Sequence, residues 1–193
     1  LHTSFKISAG GEQLGLYNAS GTKVSEIVFN EQPTDVSYGL ATDGNAPWGY
    51  FSKPTPRASN NTSTFYSDYV RQVPVFSPTG GFFTGPVSIV IENKYHTGVL
   101  RYTKDGSVPT ETSLVFSQPI QINATTVVRA RMFYPGQLPG PVITNTYFIN
   151  EGFQQRGLPV LSLSTDPKYF FDPGIGLYVQ KYKPTWEYPI HLV

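Results

Sequence analysis

The feature that most constrains this chain is the pattern of its apolar residues, which form short runs that alternate with polar residues. No window of about 11 residues or more has the three- and four-residue apolar spacing of an amphipathic helix. Glu12–Tyr17, Lys23–Phe29 and Thr126–Phe133 instead alternate with a period of two, which is typical of β-strands. The sequence therefore predicts an all-β protein, with at most one or two helical turns around Thr165–Phe170.

The first part of the chain contains a predicted β-hairpin. Its two alternating runs are separated by Asn18-Ala-Ser-Gly21, and Asn and Gly both favour tight turns. The positions predicted to point inward are Leu14, Leu16, Val24 and Phe29. Pro54 and Pro56 end the last strand here, because proline removes a backbone donor. We predict that this module covers residues 1–62 and that residues 63–73 link it to the next one.

Residues 74–150 have the strand rhythm of a second module. Predicted strands of this module are Val87–Ile91, Val99–Thr103, Leu114–Phe116, Thr126–Phe133 and Val142–Phe148. Turns separate them every 8–15 residues, roughly the spacing seen in a small antiparallel sandwich. The strand rhythm therefore predicts an antiparallel β-sandwich here. Residues 151–193 are predicted to be a linker and the start of a third module, with β-type runs at Leu158–Ser164 and Tyr188–Val193.

The composition argues against several classes of protein. The 14 Lys and Arg residues are balanced by 13 Asp and Glu residues, so the chain has no basic excess for binding nucleic acid. The longest apolar stretch, Pro86–Ile91, is interrupted by Ser88 and is far shorter than the roughly 20 residues of a membrane helix. There is no Cys, which excludes disulfides, thiolate metal sites and Cys nucleophiles.

No motif for catalysis or for a cofactor stands out. The Gly-rich stretches Ser77–Gly81 and Asp172–Gly176 lack the pattern of a phosphate-binding loop and are interpreted as turns. The histidines are far apart in sequence and have no ligand partner at metal-site spacing; they are His2, His96 and His191. Two carboxylate pairs, Asp35 with Asp43 and Asp105 with Glu111, are candidates for acid–base chemistry, but their positions favour turn roles. We predict no catalytic residue, no metal and no cofactor.

The many aromatic residues offer two interpretations. A surface for stacking sugars or binding protein is one, with candidates Trp48, Tyr50, Tyr66, Tyr69, Tyr95, Tyr134, Tyr178 and Tyr182. Core and inter-module packing is the other, and it is favoured for Trp48, Tyr102 and Tyr147, whose strand neighbours alternate. Four asparagines match the N-glycosylation pattern, although ordinary turn chemistry accounts for them equally: Asn18, Asn60, Asn61 and Asn123.

Three family resemblances follow the three parts of the chain. The first part resembles the second half of a bacterial lamin-tail domain through Ser20–Phe29, Asp35-Val-Ser-Tyr-Gly39, Asp43-Gly44, Trp48 and Pro54-Thr-Pro56. The second part resembles the chitobiase/β-hexosaminidase C-terminal domain through Pro74–Pro86, Arg101–Thr110, Thr126–Phe133 and Tyr147–Ile149. The third part is similar to the entry of a CotH kinase-like domain of spore-coat proteins through Leu158–Pro167, Phe171–Val179 and Trp186–Val193.

These resemblances imply a fold class of tandem immunoglobulin-like antiparallel β-sandwiches, the first of them incomplete, in a piece of a larger secreted or cell-surface bacterial protein. The chain begins with Leu1 rather than Met. The implied role is non-catalytic: an accessory or spacer region that positions a downstream kinase-like domain. Its expected partners are the other domains of the parent protein and a cell-surface protein or glycan. One alternative is a carbohydrate-binding accessory module. The other is part of an ATP-dependent protein kinase-like enzyme whose catalytic residues lie outside this sequence.

Overall fold

The computed structural model describes residues 5–94, 97–152 and 160–177. Two compact units divide the chain: residues up to Val70 with Tyr134–Leu138, and Arg71–Phe133 with the residues from Pro139 onward. In the first unit the strands are β1 (Gly11–Tyr17), β2 (Lys23–Asn30), β3 (Ser37–Thr42), β4 (Asn45–Phe51) and β5 (Phe65–Tyr66). The second unit contains β6 (Val75–Ser77), β7 (Gly81–Phe83), β8 (Val87–Glu92), β9 (Val99–Thr103), β10 (Leu114–Val115), β11 (Ile120–Ile122), β12 (Thr126–Phe133), β13 (Ile143–Ile149) and α1 (Pro167–Phe171).

The second unit is built from two β-sheets. One has five strands in the order β10-β9-β12-β13-β7, and the other has three in the order β11-β8-β6. The pairs are antiparallel except for β13 with β7, which is parallel. The predicted all-β, immunoglobulin-like fold class is confirmed, and the strands predicted between residues 87 and 148 all form.

Alternation along the strands of the second unit places one side-chain set in a core. Ile89 and Ile91 are buried on β8, while Val128, Ala130 and Met132 are buried on β12. Successive side chains of a strand point to opposite faces, so each sheet turns one apolar face inward. This core is the largest source of hydrophobic stabilisation in the unit, since each fully buried aliphatic side chain contributes about 1.5–3 kcal/mol.

The first unit contains a two-stranded sheet, β1-β2, and a three-stranded sheet, β3-β4-β5. The predicted turn between β1 and β2 forms because Asn18 Oδ1 accepts hydrogen bonds from the backbone of Ser20 and Thr22. A second tight turn, at Asp43-Gly44, joins β3 to β4, with Gly44 at φ +76°. Only glycine adopts such a positive φ without a steric cost.

The predicted inward positions of the hairpin are wrong for three of the four residues. Leu14, Leu16 and Val24 are 40%, 61% and 63% exposed, whereas Phe29 is half-buried. Alternation identifies which residues share one face of a strand, but burial also requires a second layer over that face. The alternating pattern therefore predicted the hairpin correctly and its packing incorrectly.

The end of the described chain also differs in part from the prediction. The expected helical turns are confirmed as α1, which begins after Asp166, whose side chain accepts a hydrogen bond from the backbone of Lys168. The predicted β-run at Leu158–Ser164 is wrong for Val160–Ser164, which form no strand. Alternation produces a strand only where the backbone finds a pairing edge. Leu158, Pro159 and the predicted strand Tyr188–Val193 lie outside the described residues.

Candidate functional site

The candidate acid–base carboxylates lie in turns. Asp43 Oδ1 accepts a hydrogen bond of 2.9 Å from the Asn60 backbone, and this bond, with one from the Ser59 side chain, lowers the pKa of Asp43. Asp105 Oδ1 accepts from the Ser107 hydroxyl at 2.6 Å and from its backbone at 3.0 Å, which lowers the pKa of Asp105. Both side chains are ionised at neutral pH, whereas a general acid needs a raised pKa.

Their proposed partners also lie in turns. Asp35 has φ +59° just before β3, and Glu111 lies in the turn that precedes β10. Asparagine and aspartate tolerate such backbone positions because their short polar side chains bond locally. Asp35 and Glu111 thus occupy positions that are typical of turn residues.

Backbone hydrogen bonds or close packing account for the other candidate motifs. In the Gly-rich stretch after α1, Asp172 Oδ1 accepts hydrogen bonds from the backbones of Gly174 and Ile175. In the other Gly-rich stretch, a side chain at Gly80 would lie 2.7 Å from the Thr146 carbonyl oxygen, so Gly80 allows a close backbone approach. His2, His96 and His191 lie outside the described residues. Within the described parts of the chain, no three His, Cys, Asp or Glu side chains are grouped as a metal site would require.

One candidate glycosylation asparagine is part of the framework of the first unit. Asn60 Nδ2 donates to the Leu40 carbonyl at 2.7 Å, and its Oδ1 accepts from Thr55 Oγ1 at 2.7 Å. Asn60 thereby ties β3 to the loop after β4. Both the oxygen and the nitrogen of its side-chain amide are used in these hydrogen bonds. This favours the interpretation of Asn60 as a loop residue with a structural role over that of a glycosylation site.

Aromatic side chains gather on one face of the three-stranded sheet in the first unit. Tyr38 is paired with Tyr50, and Tyr50 is paired with Tyr66, so these three share a face. The Tyr38 ring stacks on Trp48, with centroids 5.8 Å apart and an interplanar angle of 24°. We call this set the aromatic surface; its members are Tyr38, Trp48, Tyr50, Tyr66 and Tyr69, the last packed edge-on against Tyr50 at 4.7 Å.

The aromatic surface is open at one end and buried at the other. Trp48 is 37% exposed and Tyr50 is buried. Trp48 is therefore partly exposed and packed on Tyr38, whereas the surface interpretation of Tyr50 is wrong. An exposed, stacked indole offers a flat apolar face beside polar groups, which suits a ligand with one apolar face.

Sequence reasoning missed Tyr38, and the reason is a bulge. The pairing between β3 and β4 shifts register between Leu40 and Thr42. Counting outward from the Asp43-Gly44 turn without that shift would pair Tyr38 with Gly49, which lies on the opposite face. A shift of one residue moves every side chain beyond it to the other side of the sheet.

The remaining aromatic candidates lie elsewhere. Tyr147 is fully buried, as the core interpretation predicted, and its hydroxyl donates to the Pro78 carbonyl at 2.8 Å. Burial raises the pKa of Tyr147 to about 12. Tyr102 and Tyr134 are half-buried. Tyr95, Tyr178 and Tyr182 lie outside the described residues.

The second unit has a separate open groove of about 410 Å³. Its lining is mostly hydroxyl and amide groups with one aromatic ring, contributed by Gly80, Thr144, Asn145, Thr146, Phe148, Ser162 and Ser164. The Phe148 ring is stacked on Phe82, with centroids 4.7 Å apart and an interplanar angle of 16°. No single sequence motif marks this groove, because β13 and the Ser162–Ser164 stretch contribute to it together.

Residues 78–144 match the family model of the Chitobiase/beta-hexosaminidase C-terminal domain. The match runs from the end of β6 into β13, within the part of the chain for which this resemblance was expected. Comparisons with curated proteins and with solved structures gave no match. The lamin-tail and CotH resemblances of the flanking parts stay predictions. No helix in the described part of the chain has the length and apolar character of a membrane span.

Proposed function

We propose that this chain is a non-catalytic accessory region of a larger secreted or cell-surface bacterial protein, where it spaces and presents neighbouring domains. The family match of residues 78–144, to an immunoglobulin-like accessory domain, carries the proposal. Two further observations support it. Asp43 accepts a hydrogen bond from the loop after β4 and Asp105 accepts one within its own turn, and the buried Tyr147 hydroxyl bonds to a backbone carbonyl.

The proposed organisation keeps the four predicted segments. Residues 1–62 form a lamin-tail-like module, 63–73 a linker whose strand β5 adds to the sheet of that module, 74–150 the chitobiase-like sandwich, and 151–193 a linker and the beginning of a CotH-like domain. The kinase-like activity then belongs to the parent protein rather than to this sequence. The expected partners of this chain are the neighbouring domains of the parent protein and a cell-surface protein or glycan.

A paired assay of ATP consumption with Mg²⁺ or Mn²⁺ tests this proposal. We expect turnover by the full-length parent protein and none by the 193-residue chain. Turnover by the chain itself would contradict a non-catalytic role. A parent protein that consumes no ATP would contradict the kinase-like context and leave an accessory region of another kind of protein.

Carbohydrate binding is a second candidate function, and the aromatic surface favours it. The stacked pair of Trp48 and Tyr38 presents aromatic area on one sheet face, and such rings stack on the apolar face of a sugar. Titration of the whole chain with a glycan panel tests this function. If the aromatic surface binds, Trp48→Ala weakens binding, while Tyr17→Ala, at an exposed aromatic residue of the hairpin, leaves it unchanged.

A further inference from the structure

The outer face of the five-stranded sheet carries a polar strip beside a pair of stacked rings. Tyr147 and Ile149 of β13 are buried, so alternation places Thr144, Thr146 and Phe148 on the opposite face. Phe82 of the neighbouring strand β7 is paired with Phe148 and is 38% exposed. The two rings are stacked face to face at the sheet edge, so Phe82 supports Phe148, which lies next to two threonine hydroxyls.

The second wall of the groove comes from the stretch that precedes α1. Leu161 and Leu163 are 82% and 68% exposed, while Ser162 and Ser164 line the groove. Ser162 Oγ lies 3.1 Å from Thr146 Oγ1. The polar side of this stretch thus faces the sheet and its apolar side faces away, the reverse of the arrangement that hydrophobic packing alone would produce.

The groove is lined by groups that both donate and accept hydrogen bonds. Hydroxyls rotate to suit either role, and Ser164 Oγ is buried without a partner in the structure. A serine hydroxyl reaches a new partner by rotating about one side-chain torsion. Asn145 is held in place by the hydrogen bond that its Oδ1 accepts from the Gly80 backbone at 2.7 Å. A buried polar atom without a partner calls for one, and a ligand hydroxyl would supply it here.

The shape and charge of the groove narrow the class of ligand. None of its lining residues is charged, so it lacks the carboxylates that hold a cation. Its volume lies in the range of small-molecule clefts, roughly 300–1,000 Å³. It is nevertheless open to solvent along one side, which suits one unit of a surface-bound chain better than an enclosed metabolite.

We propose that this groove binds one sugar ring of a neutral glycan chain. The apolar face of the ring lies against Phe148, supported by Phe82, and its hydroxyls pair with Thr144 and Ser164. This inference rests on the carbohydrate-binding candidate function and deepens it, because it assigns a sugar subsite to the second unit that is separate from the aromatic surface of the first.

The test uses the whole chain and the neutral glycan that binds best in the panel, with affinity measured by calorimetry. Thr144→Val keeps the side-chain shape and removes one hydroxyl, so we expect about a 2- to 10-fold loss of affinity from one hydrogen bond. Phe82→Ala removes the ring stacked behind Phe148 and is expected to weaken binding by a similar factor. Thr42→Val, at an exposed threonine of β3, is the control and is expected to leave the affinity unchanged. Trp48→Ala reports on the aromatic surface separately.

The outcomes separate the two sites. Loss of affinity in Thr144→Val and Phe82→Ala, with Thr42→Val unchanged, supports the groove, whether or not Trp48→Ala also binds more weakly. Loss in Trp48→Ala alone overturns the groove and leaves glycan binding to the aromatic surface. If no glycan binds, both the groove and the carbohydrate-binding function are overturned. Circular dichroism of each variant checks its folding, and Thr144→Val still decides the question if Phe82→Ala does not fold.

Discussion

The two units of this chain use their apolar residues differently. In the second unit, both sheets direct alternate side chains into one core, in which Ile89, Val128 and Tyr147 are fully buried. In the first unit, the hairpin β1-β2 leaves Leu14 and Leu16 substantially exposed. Alternating sequence patterns therefore form strands in both units, but they contribute differently to stability. Only an apolar sheet face that is covered by other side chains is removed from water.

The largest expected difference between the units comes from truncating one aliphatic residue in each. Ile89→Ala leaves a cavity in the core and should lower the free energy of unfolding of the second unit by about 2–5 kcal/mol. Leu16→Ala removes a side chain that is already 61% exposed and should cost less than about 0.5 kcal/mol. Urea unfolding followed by hydrogen exchange and mass spectrometry measures each unit separately. Equal losses in the two variants would contradict the proposed difference.

A glycine pair sharpens the comparison within the first unit. A side chain at Gly49 would overlap the Tyr66 carbonyl oxygen and lie 2.5 Å from Phe65 Cε2, so Gly49→Ala should destabilise this unit by about 1–3 kcal/mol. Gly39 is the register partner of Gly49, and a side chain there would meet its neighbours only at 3.5 Å and beyond.

Gly39→Ala is therefore the matched control. We expect it to change the stability of the first unit by less than about 1 kcal/mol, since the new methyl group makes ordinary contacts and restricts the unfolded chain. Tyr66 and Phe65 belong to β5, so the same hydrogen-exchange measurement on peptides covering β4 and β5 reports both variants. If Gly49→Ala is as stable as Gly39→Ala, β5 does not pack over Gly49 as the structure has it.

These examples show which parts of the fold the sequence could predict. The turn at Asn18–Gly21, the strands between residues 87 and 148 and the short helix α1 depend on neighbouring residues, and local patterns predicted them. The aromatic surface depends on the bulge between Leu40 and Thr42, and the local alternation of apolar and polar residues does not predict that bulge. The groove depends on an unpaired stretch, Val160–Ser164, lying beside β13, and a contact between residues so far apart in sequence has no local signature.

A smaller effect is expected from the buried tyrosine of the second unit. Its pKa is raised from 10.0 to about 12 by burial, so the unfolded chain loses this proton first as the pH rises. The folded state then holds more protons than the unfolded state, and the free energy of unfolding falls between about pH 10 and pH 12.

The variant Tyr147→Phe tests this explanation. It removes the bond to the Pro78 carbonyl and should cost about 0.5–1.5 kcal/mol at neutral pH. It should also flatten the alkaline decline measured by urea unfolding of the second unit. Tyr17→Phe, at an exposed tyrosine of the first unit, should leave the decline as it is. A decline of the same steepness in Tyr147→Phe would show that another group causes it.

The smallest effect distinguishes the turn carboxylates of the two units. The pKa values of Asp43 and Asp105 are both lowered from 3.8 by hydrogen bonds, which come from Asn60 and Ser59 in the loop after β4 for Asp43 and from Ser107 in its own turn for Asp105. A carboxylate whose pKa is lower in the folded state than in the unfolded state stabilises the protein at any pH above its pKa in the unfolded state. This stabilisation is lost as the pH falls through the pKa in the folded state.

A pH titration by nuclear magnetic resonance should therefore move the Asn60 and Ser107 amide signals with midpoints below 3.8. In Asp43→Asn the Asn60 transition should disappear while that of Ser107 persists, because the Asn60 amide donates to Asp43 and the Ser107 amide donates to Asp105. An Asn60 midpoint at or above 3.8 would contradict the hydrogen bond that ties the β3–β4 turn to the loop after β4.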